Sequence, residues 1–235
     1  MRRFTRSSVQ FGSVALLAFS SFSPAGETFL PDTAVDLVRY LAPTPPVQSE
    51  ANRAELAELL RLQATRTPAE VAYAQADQKI SVFRFADSLD TARFKESRLP
   101  ITARFFARTM ETVNGISEIA KKSFARPRPF VTDTEIHPVL GKPTNASYPS
   151  GHSMSGNLIA ILLADIVPEK KAQIFERGWV FAEHRALGGV HYPSDLQAGR
   201  ISAALIAQRL YQNPEFRKEL DSSRVEIRKV LGYAK

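Results

Sequence analysis

Apolar residues along this 235-residue chain mostly recur every three or four positions, the spacing of one face of an α-helix. Few runs alternate apolar and polar positions as a half-buried strand requires. Leu56, Leu59, Leu60 and Leu62 predict a helix that begins near Glu50. Thr67-Pro68-Ala69-Glu70 reads as another helix start, with Thr67 as N-cap, Pro68 in the first turn and Glu70 at the third position. A further helix is expected over Ile80 to Leu89. From Pro100 to about Ala125 a longer one is expected to bury Phe105, Phe106, Met110, Val113, Ile116 and Ile119. The stretch 126–149 holds five prolines and Gly141 and reads as irregular. An apolar helix then starts at Ser150 or Gly151 and runs to Val167, with Pro168 marking its end. Helices over Glu169 to Glu183, Ser194 to Tyr211 and Pro214 to Val230 complete an all-α reading.

The N-terminus departs from that pattern. Arg2, Arg3 and Arg6 precede an apolar run from Val14 to Phe19, and Ser23-Pro24-Ala25 offers small residues for cleavage. This is the order of a secretory signal peptide, so residues 1–25 are expected to be removed and the protein exported, to the periplasm or beyond. A disordered tail or short membrane anchor is the other reading. Residues 26–49, with Pro31, Pro43, Pro45 and Pro46, read as a Pro-rich arm; it either packs on its own domain or exchanges between subunits of a homo-oligomer. Residues 50–235 then form one domain with room for a sizeable core.

Charge and composition narrow the function. Loss of the first 25 residues lowers the formal charge from +7 to about +4, and no long basic block remains. That suits anionic substrates and argues against nucleic-acid binding. Apolar runs such as Leu158 to Val167 fall well short of the roughly 20 residues that cross a bilayer, so no membrane insertion is expected after cleavage. Cysteine is absent, which excludes disulfides and thiolate metal sites.

Three segments carry candidate chemistry. In Lys121 to Pro129, KKSFARPRP, the flanking prolines hold Arg128 in extended backbone, and Lys121 and Arg128 are able to converge on one dianion. Read alone, the segment is equally a basic helix end complementing the helix dipole, with Lys122 and Arg126 facing solvent. In Tyr148 to Ser153, YPSGHS, the free N–H groups of a helix start suit an anion; Gly151 permits close approach, Ser150 adds a hydroxyl donor and His152 stands ready to give a proton. Plain capping by Ser150 is the alternative. In Ala182 to Arg200, Arg185 supplies an anion clamp, His191 a nucleophile or base, and Asp195 the carboxylate that orients it. Gly188 and Gly189 allow a turn that brings Arg185 and His191 together, and Ser194 is the expected N-cap of the helix that follows. His184, His191 and Asp195 are conceivable metal ligands, but no metal-binding signature is present and Arg185 repels a cation, so no metal and no cofactor is expected. His137 is left as a loop residue.

Together, Lys121-x6-Arg128-Pro129, Pro149-Ser150-Gly151-His152 and Arg185-x5-His191-x3-Asp195 resemble the three-part signature of the type 2 phosphatidic acid phosphatase (PAP2) superfamily, in particular the bacterial class A non-specific acid phosphatases. The resemblance implies a single helical bundle and a metal-independent acid phosphatase acting on small phosphomonoesters. It implies that His191 is phosphorylated while Asp195 orients it, and that His152 is general acid and then general base. Lys121, Arg128, Ser150, Gly151, His184 and Arg185 would hold the phosphate. A pH optimum on the acid side of neutral follows. One position departs from the family pattern: His184 stands where a phosphate-binding serine is usual. Other readings are a lipid-phosphate or diphosphate phosphatase, a vanadium-dependent haloperoxidase, and an exported phosphate-binding protein.

Overall fold

The structure is a computed structural model that describes residues 28–233, so the expected signal peptide lies outside the described residues. Among these the chain is helical, with no strand. A single turn, α1 (Leu37–Tyr40), is followed by α2 (Glu50–Thr65) and α3 (Pro68–Ala76). Ser49 caps α2 by accepting the Asn52 N–H, and Thr67 and Glu70 form the capping box of α3. Val82–Ser88 is a 3-10 helix and not the α-helix expected over 80–89. Its two buried residues, Val82 and Phe85, are three apart, which suits three residues per turn.

The long helix α4 (Pro100–Phe124) buries Phe105, Phe106, Val113 and Ile116, while Met110 is half-buried and Ile119 is 40% exposed. The inward stripe continues instead through Ser117, Ala120 and Lys121. Polar residues therefore occupy core-facing positions at that end of the helix, where hydrophobic spacing alone misplaces the face. A short turn, α5 (Pro129–Thr132), interrupts the irregular stretch, and α6 (Gly151–Ile166), α7 (Lys171–Leu187), α8 (Pro193–Leu210) and α9 (Pro214–Leu231) follow.

Helix α6 is buried on nearly every side, apolar from Leu158 to Ala164, and is correspondingly central, packed on α7 and α8 with α4 and α9 beyond. Small residues bring these helices close. A Cβ at Gly178 of α7 would lie 2.7 Å from the Ala160 Cβ, and one at Gly199 of α8 would lie 2.6 Å from the Ser150 carbonyl oxygen. The boundaries of α7 and α8 differ from expectation in ways that matter. Helix α7 continues to Leu187, so His184 and Arg185 sit in its last turn. Tyr192, not Ser194, precedes the first turn of α8, which places Asp195 at its third position.

The Pro-rich arm packs on its own domain. Phe29, Leu30, Val35, Leu37 and Leu41 are buried in the main core. Phe29 meets Phe105 and Phe216 ring to ring, donates its N–H to Thr112 Oγ1 at 3.0 Å and accepts Asn213 Nδ2 at 2.7 Å. Its apolar residues show no period because they are spread over loops and one helical turn.

Candidate active site

The polar end of α4, the start of α6, the end of α7 and the turn before α8 meet around a cavity of about 400 Å³. Its wall includes Lys121, Arg128, Gly151, His152, Arg185 and His191. Each is placed by a local device. Lys121 lies one turn beyond Ser117 on the buried stripe of α4 and donates from Nζ to the Ala146 carbonyl at 2.8 Å. Arg128 is extended, as its flanking prolines dictate, and Asn145 takes its fork: Nε donates to the Asn145 carbonyl at 3.0 Å and Nη2 to Asn145 Oδ1 at 2.7 Å. Gly188 ends α7 and Gly189 has φ +76°, so the chain reverses there and the Val190 N–H returns to the Arg185 carbonyl. That reversal sets His191 beside Arg185.

The tautomer of His191 follows from its neighbours. Nε2 lies 2.8 Å from Arg128 Nη1, which can only donate, so Nε2 bears the lone pair. Nδ1–H then donates to Asp195 Oδ2 at 3.1 Å. Asp195 is fully buried and accepts from the Tyr192 N–H at 2.9 Å, from the Ser147 hydroxyl and from Arg126 Nη1 at 2.7 Å. On the opposite wall His152 Nε2 lies 3.0 Å from the Gln78 carbonyl, to which it donates; Nδ1 is thereby the nitrogen left for proton transfer.

The cavity gathers three buried cations, Lys121, Arg128 and Arg185, with Glu111 and Glu118 also on its wall and Asp195 behind His191. Arg185 Nε and Nη1 and Ser117 Oγ are buried and have no hydrogen-bond partner, an expensive arrangement unless an anion accepts from them. Burial, with Arg128 nearby, lowers Lys121 to about 7, and burial lowers Arg128 and Arg185 to about 10. Burial and then Arg185 push His152 down to about 3, and burial followed by Arg128 and Lys121 holds His191 well below its ordinary value.

A stability consequence follows. Both rings stay neutral in the folded protein, whereas unfolded imidazoles take up protons below about pH 6.5. The unfolded state therefore binds more protons in acid, and these groups contribute stability that is lost as pH falls below that value. Thermal unfolding between pH 7 and 5 is expected to show a falling Tm, with inorganic phosphate reducing the fall. An unchanged Tm with and without phosphate would contradict this.

Two expected phosphate ligands lie elsewhere. His184 does not line the cavity; its Nδ1 pairs with Asp77 Oδ2 at 2.8 Å on the far side of α7. Successive helix positions diverge by about 100°, so Arg185 facing inward turns His184 away. Ser150 is the N-cap of α6, fully buried, its Oγ accepting the Ser153 N–H, and it is not part of the cavity wall. The helix-capping reading thus accounts for its hydroxyl. His184 and Asp195 share no convergent ligand set with His191, and among the described residues no group of three His, Asp or Glu side chains is disposed to hold a metal. His137 is an exposed loop residue.

Arg126, expected to face solvent, is instead buried and paired with Asp195 and with Glu55 Oε2 at 2.7 Å, its guanidinium lying 3.7 Å from the centre of the Tyr192 ring. The available signal was its spacing of two from Arg128 across Pro127, which in extended backbone turns both side chains to one side. Ser117 was legible as the residue one helical turn before Lys121. Nothing in the sequence marked Ser147 or Asn145.

Residues 103–219 match the family model described as the PAP2 superfamily. An acid phosphatase of Zymomonas mobilis subsp. mobilis is 36% identical over 139 residues, which cover 57% of this chain and 52% of that protein. A non-specific acid phosphatase of Salmonella typhimurium is 40% identical over 114 residues, 46% of this chain and 45% of that one, and one of Providencia stuartii is 37% identical over 117 residues, 47% and 46%. The chain thus spans about half the length of the curated relatives it matches. Two solved structures share the fold. A bacterial vanadium-dependent iodoperoxidase has a TM-score of 0.57 at 17% identity, over 74% of this chain and 51% of that one. A transmembrane PAP2-type phosphatidylglycerolphosphate phosphatase from Bacillus subtilis has a TM-score of 0.50 at 18% identity, over 72% and 89%.

Proposed function

The chain is a member of the PAP2 superfamily through residues 103–219, and from that premise we propose that it is an acid phosphatase hydrolysing phosphomonoesters through a phosphohistidine at His191. The observation that carries this reading is the meeting of Lys121, Arg128 and Arg185 with two histidines in one cavity, where buried Arg185 donors have no partner. Phosphoryl transfer asks for little beyond such positioning and charge.

In the first step the His191 Nε2 lone pair forms a bond to phosphorus while the bond to the ester oxygen breaks. Asp195 accepts the Nδ1–H and stabilises the positive ring. His152 gives its proton to the departing alkoxide. In the second step His152 takes a proton from water, the resulting hydroxide attacks phosphorus, and the N–P bond breaks to release phosphate. Lys121, Arg128, Arg185 and the N–H groups at the start of α6 hold the non-bridging oxygens throughout.

The low pKa of His152 belongs to the cavity without an anion, where burial first, and then Arg185, Lys121 and Arg128, disfavour the protonated ring. A phosphate dianion among them reverses that field and favours the protonated ring. His191 must remain neutral, and its burial, the largest cause of its lowered pKa, keeps it so. Activity is therefore expected to peak on the acid side of neutral and to fall above about pH 7, where Lys121 also loses its charge. The check is the rate of p-nitrophenyl phosphate hydrolysis from acid to alkaline pH, with and without a strong chelator. The reading expects the same profile in both, and collapse of the rate in chelator would overturn the metal-independent mechanism.

We place the protein in the periplasm or outside the cell on the strength of its N-terminal pattern. No helix among the described residues is long and apolar enough to cross a membrane. Its partners on this reading are small phosphomonoesters and phosphate.

A further inference from the structure

His184 sits where the signature leads one to expect a phosphate ligand, yet its ring works behind the catalytic wall. We infer that His184 is a positioning residue for His152, acting through Asp77 and the Gln78 carbonyl. The inference rests on the reading of His152 as general acid.

Asp77 is the C-cap of α3 and is fully buried. Its carboxylate accepts from His184 Nδ1 at 2.8 Å, from Arg177 Nη2 at 2.7 Å and from Arg84 Nε at 2.8 Å. Two of these donors, Arg177 and His184, belong to α7, so this carboxylate fastens the end of α3 to the helix that carries Arg185. The next residue is Gln78, whose carbonyl holds His152 Nε2 at 3.0 Å and whose Oε1 accepts the Gly141 N–H at 2.7 Å. Helix α7 also reaches His152 directly, because the Phe181 ring lies nearly parallel to it at 6.1 Å. The general acid is therefore set by α7 twice, through the Phe181 face and through the Asp77–Gln78 junction.

The chemical effect is specific. An imidazole whose Nε2–H is committed to a carbonyl delivers a proton only from Nδ1, along a direction the carbonyl fixes. Moving that carbonyl misaims the proton without touching the groups that bind phosphate. Asp77 keeps Arg84 and Arg177 when His184 is lost, so the junction loosens and does not come apart.

The test compares two leaving groups in the full chain. Glycerol phosphate departs as a basic alkoxide and depends on the acid; p-nitrophenyl phosphate departs as a stable phenolate and depends on it little. For His184→Ala, kcat/KM on glycerol phosphate is expected to fall about tenfold, and on p-nitrophenyl phosphate less than about threefold. The inhibition constant of inorganic phosphate should not move. His184→Asn, which keeps an N–H donor near the place of Nδ1, should restore the glycerol phosphate rate. Equal losses on the two substrates, or weakened phosphate inhibition, would overturn the inference and return His184 to a structural or phosphate-binding role. His152→Ala run in parallel separates the failures. If it shows no leaving-group bias, the reading of His152 fails and the positioning claim with it; if it shows the bias and His184→Ala does not, the positioning claim alone fails.

Discussion

Replacing His191 with alanine is expected to lower turnover of p-nitrophenyl phosphate by at least about 100-fold while leaving phosphate binding largely intact. The two halves of that expectation come from different groups. On the proposed reading Nε2 supplies the electron pair for the bond to phosphorus; the Arg128 and Arg185 nitrogens beside it are cationic, and His152 Nδ1 is committed to proton transfer with the leaving group. On the proposed reading the oxygens of phosphate are met by Lys121, Arg128 and Arg185, and of these only Arg128 touches the His191 ring. Loss of the ring also removes a contact from Arg128 Nη1, which keeps the Val190 carbonyl at 2.8 Å. The measurement is kcat together with the rise in Tm on adding inorganic phosphate. A variant that keeps turnover within tenfold of the parent would remove His191 from the chemistry. One that loses both turnover and the phosphate-induced rise would point to a collapsed site.

The second large effect is expected at a residue the signature does not include. Arg126 joins Asp195 of α8 to Glu55 of α2 in the interior, and Asp195 is inaccessible to water. Removing one member of such a cluster leaves a buried charge uncompensated, which costs more than the intact pair contributes. Arg126→Met, which retains the apolar stem over Tyr192, is expected to destabilise the fold by about 3–5 kcal/mol in urea unfolding. Turnover should fall as well. Without the guanidinium, Asp195 loses the donor that holds its Oδ1, so Oδ2 is no longer fixed to accept from His191 Nδ1. A loss below about 1 kcal/mol would mean that water reaches the carboxylates and the pair behaves as a surface bridge.

The helical architecture was readable because α2, α4, α6, α8 and α9 each keep a stripe or cylinder of apolar residues between clear stop signals. The same rule failed where chemistry had replaced hydrophobicity on an inward face. At Ser117 and Lys121 the core side of α4 is polar, so the expected stripe drifted to Ile119. In the site, residues that carry chemistry by their own identity were legible, since an isolated histidine or a proline-flanked arginine narrows what it can do. Supporting residues were not. Ser147 and Asn145 act through their place in a loop whose path no local pattern encodes. His184 entered the expected phosphate ligands through the resemblance, as the residue standing at the family's serine; because α7 runs on to Leu187, it and Arg185 diverge by about 100° around the helix.

The contact between Arg128 and the His191 lone pair has a consequence for selectivity. A nucleophile already engaged at 2.8 Å by a cation is closed to any electrophile that cannot draw that cation aside. On the proposed reading a dianionic phosphate does so as it binds, because its oxygens compete for the guanidinium. A neutral carboxylic ester of the same size and shape offers no such competition and finds the ring shielded. What admits a molecule to this reaction is then its charge before its outline, and one arginine serves as both lock and clamp.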